Sequence, residues 1–328
     1  MTTLIKFGLN DIIKQINADQ AWQKGFTGKG VHIAIIDTGI QGEAKEFSAL
    51  GKKSPHQWSS SPEIDPWKDS DIHGTMIACV AAANSQSGGR FSGVAPDTTL
   101  ISCKPTQVID QFSDQELCQA YEFLIQLVLD KKIGRLVVNN SYAIKSCHYR
   151  NHSQAFLDIV KKAVANNIVL VFAAGDNHNE YCGHNYFSSA PNTIWGANAL
   201  AKVITVSTVD KDLKMPAPTN NRYTLHANSS RGIWDNKTEK PDCSAPTYGE
   251  VLWGDGKYSS KNWWGTSGAA PQVAGLAALM LEKNPFLTPP EIQQIIKNTC
   301  QKIPNLAKSS VGAGLIDCYK AIKAVPLP

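Results

Sequence analysis

The chain has 328 residues, 42% of them hydrophobic and 18% charged, with a formal net charge of +4. That composition supports a large core and excludes a disordered chain, and the modest, scattered charge argues against a nucleic-acid partner. No apolar run reaches the ~20 residues of a membrane span, and the first residues, Met1 to Gly8, lack a signal-peptide core. The expected location is therefore cytoplasmic, with export by a signal-independent route as the alternative.

In chain order, Leu9, Ile12, Ile13 and Ile16 suit an amphipathic turn or two within a short N-terminal extension, residues 1–19. A single domain is expected over residues 20–328. Its first buried strand is Val31 to Ile36, ending at Asp37-Thr38-Gly39. Residues 41–70, rich in Pro and Ser, read as loop. A helix is predicted from His73 to Ala83, followed by a glycine-rich loop, Asn84 to Gly93. Strands are then predicted at Leu100–Lys104, Arg135–Val138, Ile168–Phe172 and Val203–Val206. Between them lie a helix opened by the capping box Ser113-x-x-Glu116 and an amphipathic helix over residues 153–166. Thr288-Pro289-Pro290-Glu291 opens a further helix, and a last one follows Asp317. Short apolar strands alternating with helices predict an α/β fold: a mainly parallel sheet covered on both faces. Eight cysteines are scattered without a CxxC pair, and Cys79, Cys103, Cys118, Cys243, Cys300 and Cys318 read as small buried hydrophobes.

The stretch Gly265 to Leu281 begins Gly-Thr-Ser-Gly and continues almost wholly apolar, mostly Ala and Gly. Such a helix is apolar all round and belongs inside the core. It holds one hydroxyl, that of Ser267, at a helix start, where unpaired N–H groups favour negative charge. A plain N-cap would account for Ser267 alone, as a turn would for Asp37 and a helix start for His73. All three, however, stand where strands end or helices begin, and Asp…His…Ser is one of the chain orders of the catalytic triad.

Asp37-Thr38-Gly39, His73-Gly74-Thr75 and Gly265-Thr-Ser-Gly-Ala-Ala-Pro271 match three signature motifs of the subtilisin-like serine proteases, the subtilases. Gly93-Val-Ala-Pro96, Asp242-Cys-Ser-Ala-Pro246 and Gly312-Ala-Gly-Leu-Ile-Asp317 resemble further family landmarks, so the likeness runs over roughly residues 16–325. It implies a three-layer α/β/α subtilisin-like fold and a serine endopeptidase acting on a protein or peptide bound as an extended strand. Carried over residue by residue, Ser267 is the nucleophile, His73 the general base and Asp37 its orienter. Asn139-Asn-Ser-Tyr-Ala143 resembles the segment that pairs with the substrate, with Ser141, Tyr142 and Ala143 as its substrate-binding residues; Tyr142 is either an aromatic contact for a P2 or P4 side chain or a packed aromatic. Ala173, Ala174 and Gly175 correspond to the facing wall of the primary specificity pocket. That small-residue wall leaves room for a sizeable P1 side chain, narrowed slightly by Ala143 where the family usually has Gly. Asp176 stands where the family places an oxyanion-binding Asn; ionised it is acceptor-only and protonated it is a donor, and Asn177, one residue on, is the alternative donor. Gly268 stands where Met is common.

No cofactor is required by this chemistry. Glu46 and the loop 84–92 occupy the places of a structural calcium site in relatives, although the loop has no carboxylate and carries Arg90. Cys147, His148, His152, His178, Cys182 and His184 offer a zinc set without standard spacing, and Cys147–Cys182 a disulfide. The short segment before the domain resembles intracellular subtilisins, and residues 1–10 could cross the cleft as an inhibitor or simply dock. Two rival readings are a dinucleotide enzyme, whose glycine fingerprint the Gly25–Gly30 stretch does not match, and a silent subtilisin-like scaffold used for binding.

Overall fold

The computed structural model describes residues 7–328 apart from 107–111, 145–151, 179, 182–183, 186–191, 212–222, 227, 233–238, 260–263 and 305. The strands are β1 (His32–Ile36), β2 (Trp58–Ser59), β3 (Thr99–Lys104), β4 (Leu136–Asn140), β5 (Val169–Ala173), β6 (Glu180–Tyr181), β7 (His184–Asn185), β8 (Ile204–Lys211), β9 (Tyr223–Leu225), β10 (Cys243–Pro246), β11 (Val251–Leu252) and β12 (Tyr258–Ser259). The helices are α1 (Leu9–Gln15), α2 (Ala18–Trp22), α3 (His73–Ala82), α4 (Asp114–Leu129), α5 (Gln154–Ala165), α6 (Gly265–Lys283), α7 (Pro289–Thr299), α8 (Lys308–Val311) and α9 (Cys318–Ala324).

The central sheet runs β10-β8-β5-β4-β1-β3-β2, all parallel, with β9 antiparallel on β8. Side chains of each strand alternate between two cores. Ile33 and Ile35 of β1 join the layer built around α3 and α6, while Ala34 and Ile36 join the layer of α4 and α5. Burial on both faces is why these strands read as continuous apolar runs. The result is the predicted α/β/α sandwich.

Two departures from the sequence reading bear on the site. Leu9, Ile12, Ile13 and Ile16 are wholly buried in the α3–α6 core, so residues 9–19 are part of the packed domain and not an extension of it. The turn before α1 is fixed by main-chain bonds to Glu250, whose carbonyl accepts from the Leu9 N–H and whose N–H donates to the Phe7 carbonyl, which makes residues 7–9 a docked edge. β10, a short strand of Cys, Ser, Ala and Pro, carried too little apolar pattern to be predicted; Asp242 fixes its start by accepting from the Thr205 N–H and the buried Lys240 ammonium.

Chain order reverses at β1: β3 and β2 lie on one side, β4 and β5 on the other. In open parallel sheets the crevice at the carboxyl ends beside such a reversal is where ligands bind. Asp37 leaves β1 there, and Ser141 leaves β4.

Candidate active site

Asp37 is fully buried at the end of β1. Its carboxylate accepts the Thr38 N–H at 2.8 Å and faces His73 Nδ1 at 2.8 and 3.0 Å. His73 is the first residue of α3, so the position of that helix sets the contact. Ile72, at the N-cap, offers no side-chain cap. The exposed N–H groups are met from outside: Thr38 Oγ1 accepts from Gly74 (3.0 Å) and Asp69 Oδ2 from Thr75 (2.7 Å), while Thr38 Oγ1 donates to Asp69 Oδ1 (2.8 Å). One hydroxyl and one carboxylate thereby tie the Asp37 turn to the His73 helix. Ile72 itself sits at φ +56°, a left-handed conformation that strains a β-branched residue.

Burial pulls the His73 imidazole toward its neutral form. The Asp37 carboxylate beside it, with Asp69 and Asp71 behind, outweighs that and holds its pKa above the ordinary value. Burial raises the Asp69 carboxyl in turn, against the hydrogen bonds it accepts from Thr75, Asp71 and Thr38.

Ser267 lies in the first turn of α6, and the sequence of that helix frees its main chain for another task. Pro271, four residues on, has no N–H to donate to the Ser267 carbonyl. Ser141 Oγ donates to that carbonyl instead (2.8 Å), and is itself held by Asn139 Nδ2 (2.8 Å). In return Ser267 Oγ donates to the Ser141 carbonyl at 3.1 Å. Ile36 is in register with Asn140, so Asp37 and Ser141 stand level on neighbouring strands, about 4.8 Å apart across the sheet. The structure thus joins Asp37 to His73, and Ser267 to Ser141, at adjacent strand ends. The Ser267 hydroxyl is directed to the Ser141 carbonyl and not to His73.

Asp176, just past β5, reaches across to the same helix. Its Oδ1 accepts the Thr266 N–H (3.0 Å) and the Thr266 Oγ1–H (2.9 Å), and Thr266 Oγ1 accepts the Gly175 N–H (3.0 Å). Asn177 behaves differently from the alternative donor the sequence offered. It is buried, its Nδ2 donates to the Ile144 carbonyl at 2.9 Å, and the Thr193 carbonyl lies 3.5 Å away. Its amide is already committed to main chain.

Of the two readings of Tyr142, the structure shows the packed aromatic. Its ring packs edge-on against Phe112 and Phe172 in the α4–α5 core, and its hydroxyl donates to Asn140 Oδ1 at 2.8 Å. It is a core aromatic, because alternation along the chain turns it away from Ser141 and Ala143. The two segments expected to wall the pocket approach each other closely. A Cβ placed on Gly175 would lie 3.0 Å from the Ala143 methyl, 3.1 Å from Asn177 Nδ2 and 3.2 Å from Ser230 Oγ. The expected room for a large side chain is therefore not found between Ala143 and Gly175. Ala173 and Ala174 are buried behind them. Gly268 is likewise accounted for: a Cβ there would meet the Trp264 Cβ at 2.5 Å, so a Met would require Trp264 to move.

The residues at the calcium position do not fit calcium. Glu46 is buried, and its Oε1 already accepts the Arg90 N–H (2.8 Å) and the Tyr258 hydroxyl (2.7 Å). Burial and then the Glu46 carboxylate push the Tyr258 phenol up to about 12, which keeps it a donor. Arg90 pairs with Glu250 at 2.6 Å. One committed carboxylate does not make a shell of six or more oxygens, and no group of three metal-binding side chains occurs among the described residues. Of the zinc set, Cys147, His148 and Cys182 lie outside the described residues, as does the Cys147–Cys182 pair. His152 Nδ1 is held by Asp114 at 2.8 Å.

The sequence shows Thr38, Asn139 and Pro271 only as members of motifs and gives no sign of Asp69 or Asn198, yet the hydrogen bonds of all but Pro271, and the N–H that Pro271 lacks, fix the segments around Asp37, His73 and Ser267. Only Pro271 carried a local signal, as a proline inside a helical pattern.

A model of the subtilase family matches residues 28–314. The chain is similar to serine protease AprX of Bacillus subtilis (strain 168), 28% identical over 321 residues covering 90% of this chain and 67% of that protein. It is also similar to subtilisin E of the same strain, 29% identical over 312 residues, 94% of this chain and 70% of that protein. Among solved structures it superposes on MycP1 with its N-terminal propeptide removed, at a TM-score of 0.72 and 26% identity, over 97% of this chain and 98% of that one. A cold-adapted subtilisin-like serine proteinase shares the fold at a TM-score of 0.62. The chain belongs to the subtilase family and is a serine-type endopeptidase.

Proposed function

We propose that the peptidase works through Asp37, His73 and Ser267 as a triad. The observation that carries this reading is the Asp37–His73 contact at 2.8 Å, at the end of the strand beside β4, past which the Ser141 carbonyl accepts from Ser267 of α6. Asp37 fixes the proton on His73 Nδ1, leaving Nε2 to accept. Rotation of the Ser267 side chain carries its hydroxyl from the Ser141 carbonyl to Nε2. Oγ then attacks the scissile carbonyl as its proton passes to His73, which returns it to the leaving amine; water resolves the acyl-enzyme by the reverse sequence. The Ser141 carbonyl, released from Ser267, is free to pair with the substrate main chain as an added strand.

The distinctive part of this reading is Asp176. With Oδ1 fixed by Thr266, Oδ2 occupies the place of the family's amide donor. An ionised carboxylate is acceptor-only and opposes a developing oxyanion, leaving the Ser267 N–H as the main donor. Slow cleavage follows, a rate suited to restricted processing more than to digestion. Asp176→Asn keeps the Oδ1 bonds and puts N–H groups where Oδ2 was. It should raise kcat/KM at neutral pH by about 10²-fold; losing the corresponding donor costs about 10²–10³, a figure measured in a subtilisin of this same family. Steady-state hydrolysis of a fluorogenic peptide checks this, and an unchanged or lower kcat removes Asp176 from the oxyanion position.

The second reading is a catalytically silent scaffold for protein binding, favoured by the same Asp176 and by the Ser267 bond to Ser141. Screening a peptide library decides: cleavage by the wild type and not by Ser267→Ala supports the enzyme, and no cleavage by either supports the scaffold.

A further inference from the structure

We infer that this peptidase accepts only small P1 side chains: Gly, Ala or Ser. The inference rests on the proposed active site, with P1 entering between segment 141–143 and segment 173–175.

The gap between those segments is set by Ala143 and Gly175. The Ala143 methyl lies 3.0 Å from the site of a Gly175 Cβ. Adding one C–C bond of ~1.5 Å places it within about 4.5 Å of the Gly175 Cα. A planar ring lying between two walls needs a contact of ~3.5 Å on each face, a gap of about 7 Å. Leu or Met needs at least as much. A methyl or hydroxymethyl group ends at the mouth and does not need to pass between the walls.

The walls are also fastened together. Asn198, wholly buried, donates through one amide nitrogen to the Tyr142 carbonyl (2.9 Å) and the Ala173 carbonyl (2.7 Å), one on each side. Asn177, rooted just past the 173–175 segment, donates to Ile144 on the other (2.9 Å). Ser230 braces Gly175, its N–H donating to the Gly175 carbonyl (2.8 Å) and its Oγ accepting from Asn177 N–H (3.0 Å). Spreading the walls would strand these buried amides without partners, a penalty that a bulky P1 group must overcome. These bonds hold the two segments at that spacing.

The test is a series of otherwise identical peptide anilides with Gly, Ala, Ser, Leu or Phe at P1, assayed with the full-length wild type and with Ala143→Gly. Wild-type kcat/KM should be higher for Ala than for Phe or Leu by about 10²-fold, in line with the discrimination that pocket size supplies. Ala143→Gly should raise the Phe-to-Ala ratio at least about tenfold. Phe or Leu cleaved as well as Ala by the wild type overturns the inference and leaves the triad reading intact. No turnover of any member, with Ser267 unreactive toward a fluorophosphonate, overturns both.

Discussion

Replacing Ser267 by Ala is expected to lower kcat by about 10⁶-fold while leaving the fold in place; the magnitude is that found for the nucleophile of a subtilisin, a relative of this chain. The structure explains why the two effects separate. The hydroxyl makes one hydrogen bond, to the Ser141 carbonyl, worth about 1 kcal/mol net. The bond that fixes the helix start runs the other way, from Ser141 Oγ to the Ser267 main-chain carbonyl, and survives the substitution. Steady-state kinetics beside a thermal melt should therefore show activity at background and a melting point shifted by a few degrees at most. A variant retaining a tenth of wild-type activity would remove Ser267 from the nucleophile's place.

Asp37→Asn is expected to cost about 10⁴-fold in kcat, again a magnitude established on serine proteases including this family. An Asn in the same place keeps an oxygen for the Thr38 N–H but presents an NH₂ group to His73 Nδ1. His73 must then accept at Nδ1 and carry its proton on Nε2, where it cannot receive the serine proton. The substitution also moves a titration. With Asp37 present, the folded pKa of His73 lies above its ordinary value of about 6.5. The pair's stabilisation is therefore complete below that ordinary value and is lost as pH rises through the folded one. Removing the carboxylate leaves burial less opposed, so the imidazole pKa falls. NMR titration of the His73 ring reads this directly, and an unshifted titration would mean that Asp37 does not govern His73.

The residues that could be read from the sequence are those whose role is local. Asp37 closes an apolar run, His73 opens a helix and Ser267 opens an apolar helix, so each is visible in its own neighbourhood. Strands such as Ile33–Ile36 announce themselves because both faces are buried. Roles that depend on a distant partner were not legible. Tyr142 read equally as a substrate contact or a packed aromatic until Phe112 and Phe172 enclosed it. Asn177 looked like a donor until Ile144 took its amide. Asn198 gave no signal, because the Tyr142 and Ala173 carbonyls it joins are 56 and 25 residues away. The family resemblance puts Glu46 at an expected calcium position, and only the approach of Arg90 and Tyr258 shows that protein groups hold it here.

The most direct measurement of the central claim is covalent labelling with a fluorophosphonate, followed by mass-spectrometric mapping of the adduct. The triad reading requires one adduct on Ser267, formed quickly in the wild type, at least a hundredfold more slowly in His73→Ala, and not at all in Ser267→Ala. Wild-type protein that stays unlabelled, or labelling that persists in Ser267→Ala, would contradict it.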